Sequence, residues 1–468
     1  MKTRFDWKSF IKLVCAIAIP VALQNMLSTT GSMVDTIMIA RLGETAVAGV
    51  GLVGNFTSLM FSCYWGFVGG GMLFFAQYWG DHDDRGITRA YGVTITAMMT
   101  VGVIFTIASV LFPELVLSIY TNKPEIQEIG VRYLRIVGWS FIPNILSMAM
   151  AALLRSTEKP QIPLYGALAF VISNIFLNWV LIFGKLGLPA MGVEGAALAT
   201  ALSAVINVVT ILIASKAIGY SYIFALKEHF KWTRAFITEY LKKCFPIICN
   251  ELLIGIGNMV ISIVLGRQSA ESIAAVAVFR TLEGLVIGFF AGFSSASSVV
   301  VGKEIGAGHL HVAYERAKRI VYMCGGVIFV VCLAMFMLHK PILTAMGLSG
   351  ESLRIGTGIL GIYCVAAVVR MCNWVQNDTY RSAGDATTGT VLEITFMYLL
   401  LIPAVCLTGL VWKTDFFIIF LCMFIDEPIR FIIMQKHMYS GKWIRPVTVT
   451  GRDALPEFRA WLASKKSK

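Results

Sequence analysis

The sequence predicts an all-α integral membrane protein of about twelve transmembrane helices, built as two homologous six-helix lobes. Three observations predict it: an apolar composition, a series of segments each long enough to cross a bilayer, and an internal repeat. The 468 residues are 57% hydrophobic and 14% charged, with a mean hydropathy of +0.75. A soluble domain carries about 25% charged residues, and one this apolar would expose patches that drive association. A surface covered by lipid removes that conflict.

Backbone in lipid must satisfy its own hydrogen bonds, so apolar runs of about 20 residues form helices. Twelve such runs occur, at 11–40, 46–78, 90–112, 130–153, 161–183, 194–216, 241–265, 272–302, 317–338, 355–380, 388–411 and 415–438. Several are longer than a bilayer needs, which implies tilt or extension past the hydrocarbon. The first run begins near Phe10 and has no small-residue cleavage site, so it is expected to stay as a helix rather than leave as a signal peptide.

The repeat has an offset of 226 residues. Pro20 falls on Pro246, Arg41 on Arg267, Val47-Ala48 on Ile273-Ala274, Gly66-Phe67 on Gly292-Phe293, Gly80 on Gly306, and Arg155-Ser156 on Arg381-Ser382. A constant offset over that distance marks a duplicated unit. The unit holds six spans, an even number, so both copies insert in the same sense, related by a pseudo-two-fold axis along the membrane normal. The expected lobes are 1–225, ending in the start of a linker, and 226–468, ending in a basic tail. The basic stretch between Lys216 and Lys243 is the natural connection.

The net charge of +12 follows from topology. About seven in ten of the 39 Lys and Arg residues fall on the side of the membrane that holds both termini. This places the N- and C-termini in the cytoplasm and the protein in the cell membrane, with the lipid bilayer rather than nucleic acid as its partner. The ten cysteines form no C-x-x-C pair; those inside apolar runs, such as Cys15 and Cys332, read as small buried hydrophobes. No phosphate-binding G-x-x-x-x-G-K-[ST], H-E-x-x-H or G-x-S-x-G segment occurs. The chain is therefore expected not to be an enzyme, to need no cofactor, and to draw on an H⁺ or Na⁺ gradient.

Ionisable and polar groups inside spans mark function. Asp35 lies late in the first span, with Ser28 and Ser32 on its helical face. Asn174 and Asn178 form an i,i+4 pair in the fifth span, and Thr200, Ser203 and Asn207 share a face of the sixth. A carboxylate with amide and hydroxyl oxygens suits Na⁺ or a carried proton. The repeat places Ile254, Ile261, Leu400 and Ala404 opposite Ser28, Asp35, Asn174 and Asn178, so this set belongs to the first lobe alone. The second lobe offers other polar groups: Glu251, Arg280, Glu283, Arg370, Asn373, Glu393, Glu427 and Arg430. Arg280 and Glu283 at i,i+3 are expected to pair, and Glu251 or Glu393 to neutralise Arg370. The 21 Met, 30 Phe and 10 Trp residues suit a cavity for varied apolar ligands.

Several segments together resemble the multidrug and toxic compound extrusion (MATE) family. They are Asp35-Thr-Ile-Met-Ile-Ala-Arg-Leu-Gly43 after Pro20, Leu154-Arg155-Ser-Thr-Glu-Lys-Pro160, Asn174-Ile-Phe-Leu-Asn178, Gly192-Val-Glu-Gly-Ala-Ala-Leu-Ala-Thr200, Val301-Gly-Lys-Glu-Ile-Gly306 and Tyr380-Arg381-Ser-Ala-Gly-Asp385. The resemblance implies a V-shaped pair of lobes, alternating access, and export of organic, often cationic, compounds in exchange for Na⁺ or H⁺. It also implies a monomer. Asp35 then binds the coupling ion, helped by Asn174, Asn178 and Thr200. Many members carry a carboxylate in the tenth span; here that stretch offers Arg370, with Asn373 a turn later.

A lipid-linked saccharide flippase on the same fold is the main alternative. It calls for a strongly basic cavity, and Arg370 and Arg280 are the residues in favour. A major-facilitator transporter fits less well: Gly80…Asp84-Arg85-Gly86…Arg89 has the opening glycine and the Asp-Arg pair but loses the later spacing. A channel or sensor calls for a continuous polar stripe or an added soluble domain, and the sequence has neither.

Overall fold

The computed structural model describes residues 6–466, all helix and connection with no strand among them. Lys2 and Arg4, and residues 467–468 of the basic tail, lie outside the described residues.

Eleven helices are long and apolar enough to cross a membrane. They are α1 (Trp7–Ala40), α2 (Glu44–Gly80), α3 (Asp84–Leu111), α4 (Pro124–Ser156), α5 (Gln161–Phe183), α6 (Val193–Ala217), α7 (Arg234–Leu265), α8 (Ala270–Gly306), α9 (Leu310–Met337), α10 (Gly350–Ser382) and α11 (Ala386–Val411). They match the first eleven apolar runs. The twelfth run, expected as one helix over 415–438, is instead broken into α12 (Phe416–Cys422) and α13 (Glu427–Ser440). Pro428 sits in the first turn of α13, where its missing N–H costs nothing. The buried carboxylates of Asp426 and Glu427 gather at the break around Arg430. Two short helices follow, α14 (Val449–Asp453) and α15 (Leu455–Lys466).

Proline shapes the spans without ending them. Pro20 and Pro246 lie inside α1 and α7 at equivalent repeat positions. Pro403 in α11 lies between two π-helical turns, Met397–Leu401 and Leu407–Val411, which absorb the missing backbone donor. Large apolar side chains such as Ile104, Ile172, Ile213, Val365 and Leu399 are exposed, the surface that lipid would cover.

The chain folds as two compact units: Ile19–Phe75 with Asp83–Leu241, and the residues up to Ala18 with Ala76–His82 and everything from Lys242 on. In the first, α5 and α6 pack closely because α6 opens with small residues. Gly195, Ala196, Ala197 and Ala199 are buried, and a side chain at Gly195 would press on the Leu181 carbonyl. That close approach carries Thr200 to the face of Asn174. In the second, Phe279, Tyr363, Phe420 and Phe424 stack edge to face in the core.

Candidate functional site

The polar stripes of α1, α5 and α6 converge. Asn178 is fully buried, and its Nδ2 donates to Asp35 Oδ1 at 2.7 Å and to Asn174 Oδ1 at 3.2 Å. Asn174 Nδ2 in turn donates to Thr200 Oγ1 at 3.5 Å, and the Thr200 hydroxyl donates to the Ala196 carbonyl one turn back at 3.0 Å. Asp35, Asn178, Asn174 and Thr200 thus form one hydrogen-bonded chain across three helices. Asn178 Oδ1 is buried with no partner among the described residues. A buried amide oxygen of that kind can accept a hydrogen bond or ligate a cation. With the carboxylate, the second amide and the hydroxyl, it makes a set of hard oxygen ligands suited to Na⁺ or to proton transfer.

Not every predicted member joins. Ser28 and Ser32 donate to the carbonyls of Gln24 and Ser28 on their own helix, at 3.0 and 3.1 Å, the usual retreat of a hydroxyl in an apolar helix. Ser203 and Asn207 share the Thr200 face, but among the described residues Ser203 Oγ and Asn207 Oδ1 make no hydrogen bond. The structure adds Tyr133 of α4, which is buried beside Thr200 and Asp35.

The second compact unit holds an ionic network at span depth. Arg370 Nη1 lies 2.5 Å from Glu283 Oε1, and Arg370 Nε lies 3.9 Å from Glu427 Oε1. Two expectations are corrected here. Arg280 reaches Ser262 at 3.0 Å instead of Glu283, which turns to Arg370 on the neighbouring helix. Glu251 and Glu393 do not neutralise Arg370: Glu251 lies 3.5 Å from Arg381, and Glu393 lies 3.7 Å from Arg430. Carboxylates sort to whichever guanidinium the helix crossings bring near, and local spacing does not reveal this.

Asn373 donates to Glu427 Oε2 at 2.7 Å, while Asn250 and Asn377 both donate to Glu393 Oε2, at 3.2 and 3.1 Å. The tenth span does carry a carboxylate. Asp378 lies 3.4 Å from Arg381 and accepts from Ser294. Its i,i+3 relation to Arg381 was the available signal. The network joins the guanidiniums of Arg370, Arg381 and Arg430 to the carboxylates of Glu251, Glu283, Asp378, Glu393, Asp426 and Glu427, so acid outnumbers base. No group of three or more His, Cys, Asp or Glu side chains spaced to hold a metal occurs among the described residues.

A repeated half-chain of membrane-crossing helices, with polar clusters at span depth, defines a multi-pass membrane transporter. The MatE family model matches residues 20–180 and 246–407, one segment in each half, and the chain belongs to the MatE family. An uncharacterized transporter of Bacillus subtilis, YisQ, is 22% identical over 88% of this chain and 90% of its own length. A probable multidrug resistance protein of the same organism, YoeA, is 22% identical over 80% and 82%. The probable multidrug resistance protein NorM of Bradyrhizobium diazoefficiens is 31% identical over 40% of each chain. Among solved structures, a MATE protein in complex with MaL6 superposes with a TM-score of 0.82 at 17% identity, over 92% of this chain and 97% of that one. A mutant of the Vibrio cholerae MATE transporter VcmN gives 0.83 at 14% identity, over 93% and 98%. These structures share the fold.

Proposed function

We propose that the protein exports organic compounds, cationic or amphipathic, in exchange for H⁺ or Na⁺ by alternating access, with Asp35 binding the coupling ion and Asn174, Asn178 and Thr200 as supporting ligands. The observation that carries this reading is the 2.7 Å hydrogen bond from Asn178 to Asp35 within a polar chain that ends at Thr200. The repeat puts Ile261, Leu400 and Ala404 at the matching places, so the chain is not a general requirement of the fold. Occupancy of Asp35 would bias one conformation over the other, which is how an ion drives a transporter. Multidrug resistance relatives support the direction of transport. The cytoplasmic placement of both termini rests on the distribution of basic residues.

In the network around Glu251, Arg370, Asn373 and Glu393, the excess of carboxylates supports a second cation-accepting region. The flippase reading loses its main support there. Arg370 is paired with Glu283 and Glu427, so it offers no free charge to a pyrophosphate. The test is efflux of a fluorescent organic cation from proteoliposomes, with a pH gradient and a Na⁺ gradient imposed separately. Wild type should follow one of them and Asp35→Asn should follow neither. Transport of the cation by Asp35→Asn at the wild-type rate would refute the role given to Asp35.

A further inference from the structure

The chain beyond the last span builds a cavity that the transport reading leaves unused. α13 ends at Gly441, whose left-handed backbone (φ 68°) lets the chain turn back sharply. A side chain at Gly441 would press on Leu462 and Phe458, so glycine is also what allows α15 to close over the end of α13. Phe458 stacks on Trp461 and meets His311 edge to face, and Glu457 faces His311, which fixes α15 against α9. Between α15 and the turn after α13 lies a cavity of about 600 Å³. That is within the roughly 300–1,000 Å³ of small-molecule sites.

Its lining divides in two. Ile444, Leu455, Phe458 and Leu462 form an apolar floor. Lys442, Arg445 and Arg459 supply the charge, and no carboxylate lines the cavity. Arg445 is half exposed and shares its charge with Asp385 at 3.1 Å. Lys442 and Arg459 are exposed and form no ion pair among the described residues. Two unpaired cations over an apolar floor, with Arg445 beside them, call for a ligand with an anionic head and an apolar body. The position selects the source. α13 exposes Ile429, Ile432 and Tyr439, an apolar flank of the kind lipid covers, and Ser440 and Gly441 at the end of that helix line the cavity. It lies on the side where basic residues concentrate, and anionic lipid there would be drawn in.

We infer that this cavity is a site for an anionic glycerophospholipid of the adjoining leaflet, its phosphate held by Lys442 and Arg459 and its acyl chain against Leu455 and Leu462. The inference does not depend on what the transporter carries. The test is native mass spectrometry of the purified full chain titrated with phosphatidylglycerol or phosphatidylcholine, with glycerol 3-phosphate as a soluble competitor. Phosphatidylglycerol should be retained at least tenfold better than phosphatidylcholine, and millimolar glycerol 3-phosphate should not displace it. Lys442→Gln/Arg459→Gln should lose the preference while melting with wild type; single Arg459→Gln gives the same reading with half the charge change. Equal retention of the two lipids, an unchanged preference in both variants, or displacement by glycerol 3-phosphate would each overturn the assignment.

Discussion

Gly80 and Gly306 meet each other's helix at equivalent positions of the repeat. A Cβ on Gly80 would collide with the carbonyl oxygen of Lys303, and a Cβ on Gly306 would collide with the carbonyl oxygen of Gln77. Both pairs differ by the same 226 residues, so the two collisions are one contact seen from either end. The ends of α2 and α8 therefore cross backbone on backbone. Gln77 strengthens the junction: its Nε2 donates to the Ser382 carbonyl and its Oε1 accepts from the Val447 N–H, both at 2.8 Å.

Gly80→Ala and Gly306→Ala should each destabilise the protein by about 1–3 kcal/mol, the usual range for overpacking, because a carbonyl cannot move aside as a flexible side chain does. Gly284→Ala on α8 faces open space and should be neutral or slightly stabilising, since alanine is the better helix former. Melting curves of the purified variants in detergent separate the two. Similar melting for all three would show that the crossing is not the close contact described.

Asn178→Ala removes the donor to Asp35 and leaves the half-buried carboxylate without it. Hydrogen bonds to charged groups contribute about 1.5–3 kcal/mol, and this one favours the empty carboxylate. Half-maximal transport should therefore need about tenfold less H⁺ if protons drive the cycle, and more Na⁺ if sodium does, because the Asn178 Oδ1 ligand leaves with the donor. The ion concentration giving half-maximal transport in proteoliposomes measures this. Ser32→Ala should leave that concentration unchanged, because Ser32 bonds its own helix.

The site and the network were legible to different degrees, for a physical reason. Asn174 and Asn178 share a face by helical period alone, and the offset of 226 showed that no matching set exists in the second half. Thr200 shares a face with Ser203 and Asn207 by the same period, and the small residues before it bring α6 close to α5. Partners of Arg370 could not be read the same way, because Glu283 and Glu427 reach it from other helices and crossing angles are not written in periodicity. The break before Glu427 was masked by composition: residues 415–438 are apolar enough for a span. Only the Asp426-Glu427-Pro428 run signalled that the helix would stop and regroup around Arg430.

Arg155 and Arg381 occupy equivalent repeat positions and are both buried, with opposite consequences. Arg381 faces Glu251 and Asp378, whereas the repeat places Asn25 and Ala152 in the first half at those sites. Arg155 therefore has no carboxylate in ion-pair range among the described residues, and its Nη2 donates to Gln24 Oε1 at 2.7 Å. Arg381→Gln should cost up to about 3–5 kcal/mol, because it strands two partly buried carboxylates. Arg155→Gln should stay within about 1 kcal/mol of wild type, since it strands none and relieves a buried cation. Thermal melting of the pair decides it, and an equal loss at both positions would contradict the asymmetry.

Asp385, in the turn between α10 and α11, makes the segment after Gly441 sensitive to acid. Burial raises the pKa of its carboxyl, but the His437 ring nitrogen at 2.8 Å, the Thr388 hydroxyl at 2.8 Å and the Arg445 guanidinium at 3.1 Å outweigh burial and hold it below its ordinary value of 3.8. A lowered native pKa means that unfolding takes up a proton in acid. The stabilisation is thus complete above about pH 4 and is lost as pH falls through the depressed value. Arg445 also anchors this segment through its N–H to the Ala383 carbonyl at 2.9 Å, so losing the Asp385 charge should loosen residues 443–448 first. Hydrogen exchange of that peptide in wild type and in Asp385→Asn should differ clearly at pH 6 and converge as the pH drops below about 4. A difference that persists unchanged in acid would mean that Asp385 acts through packing rather than charge.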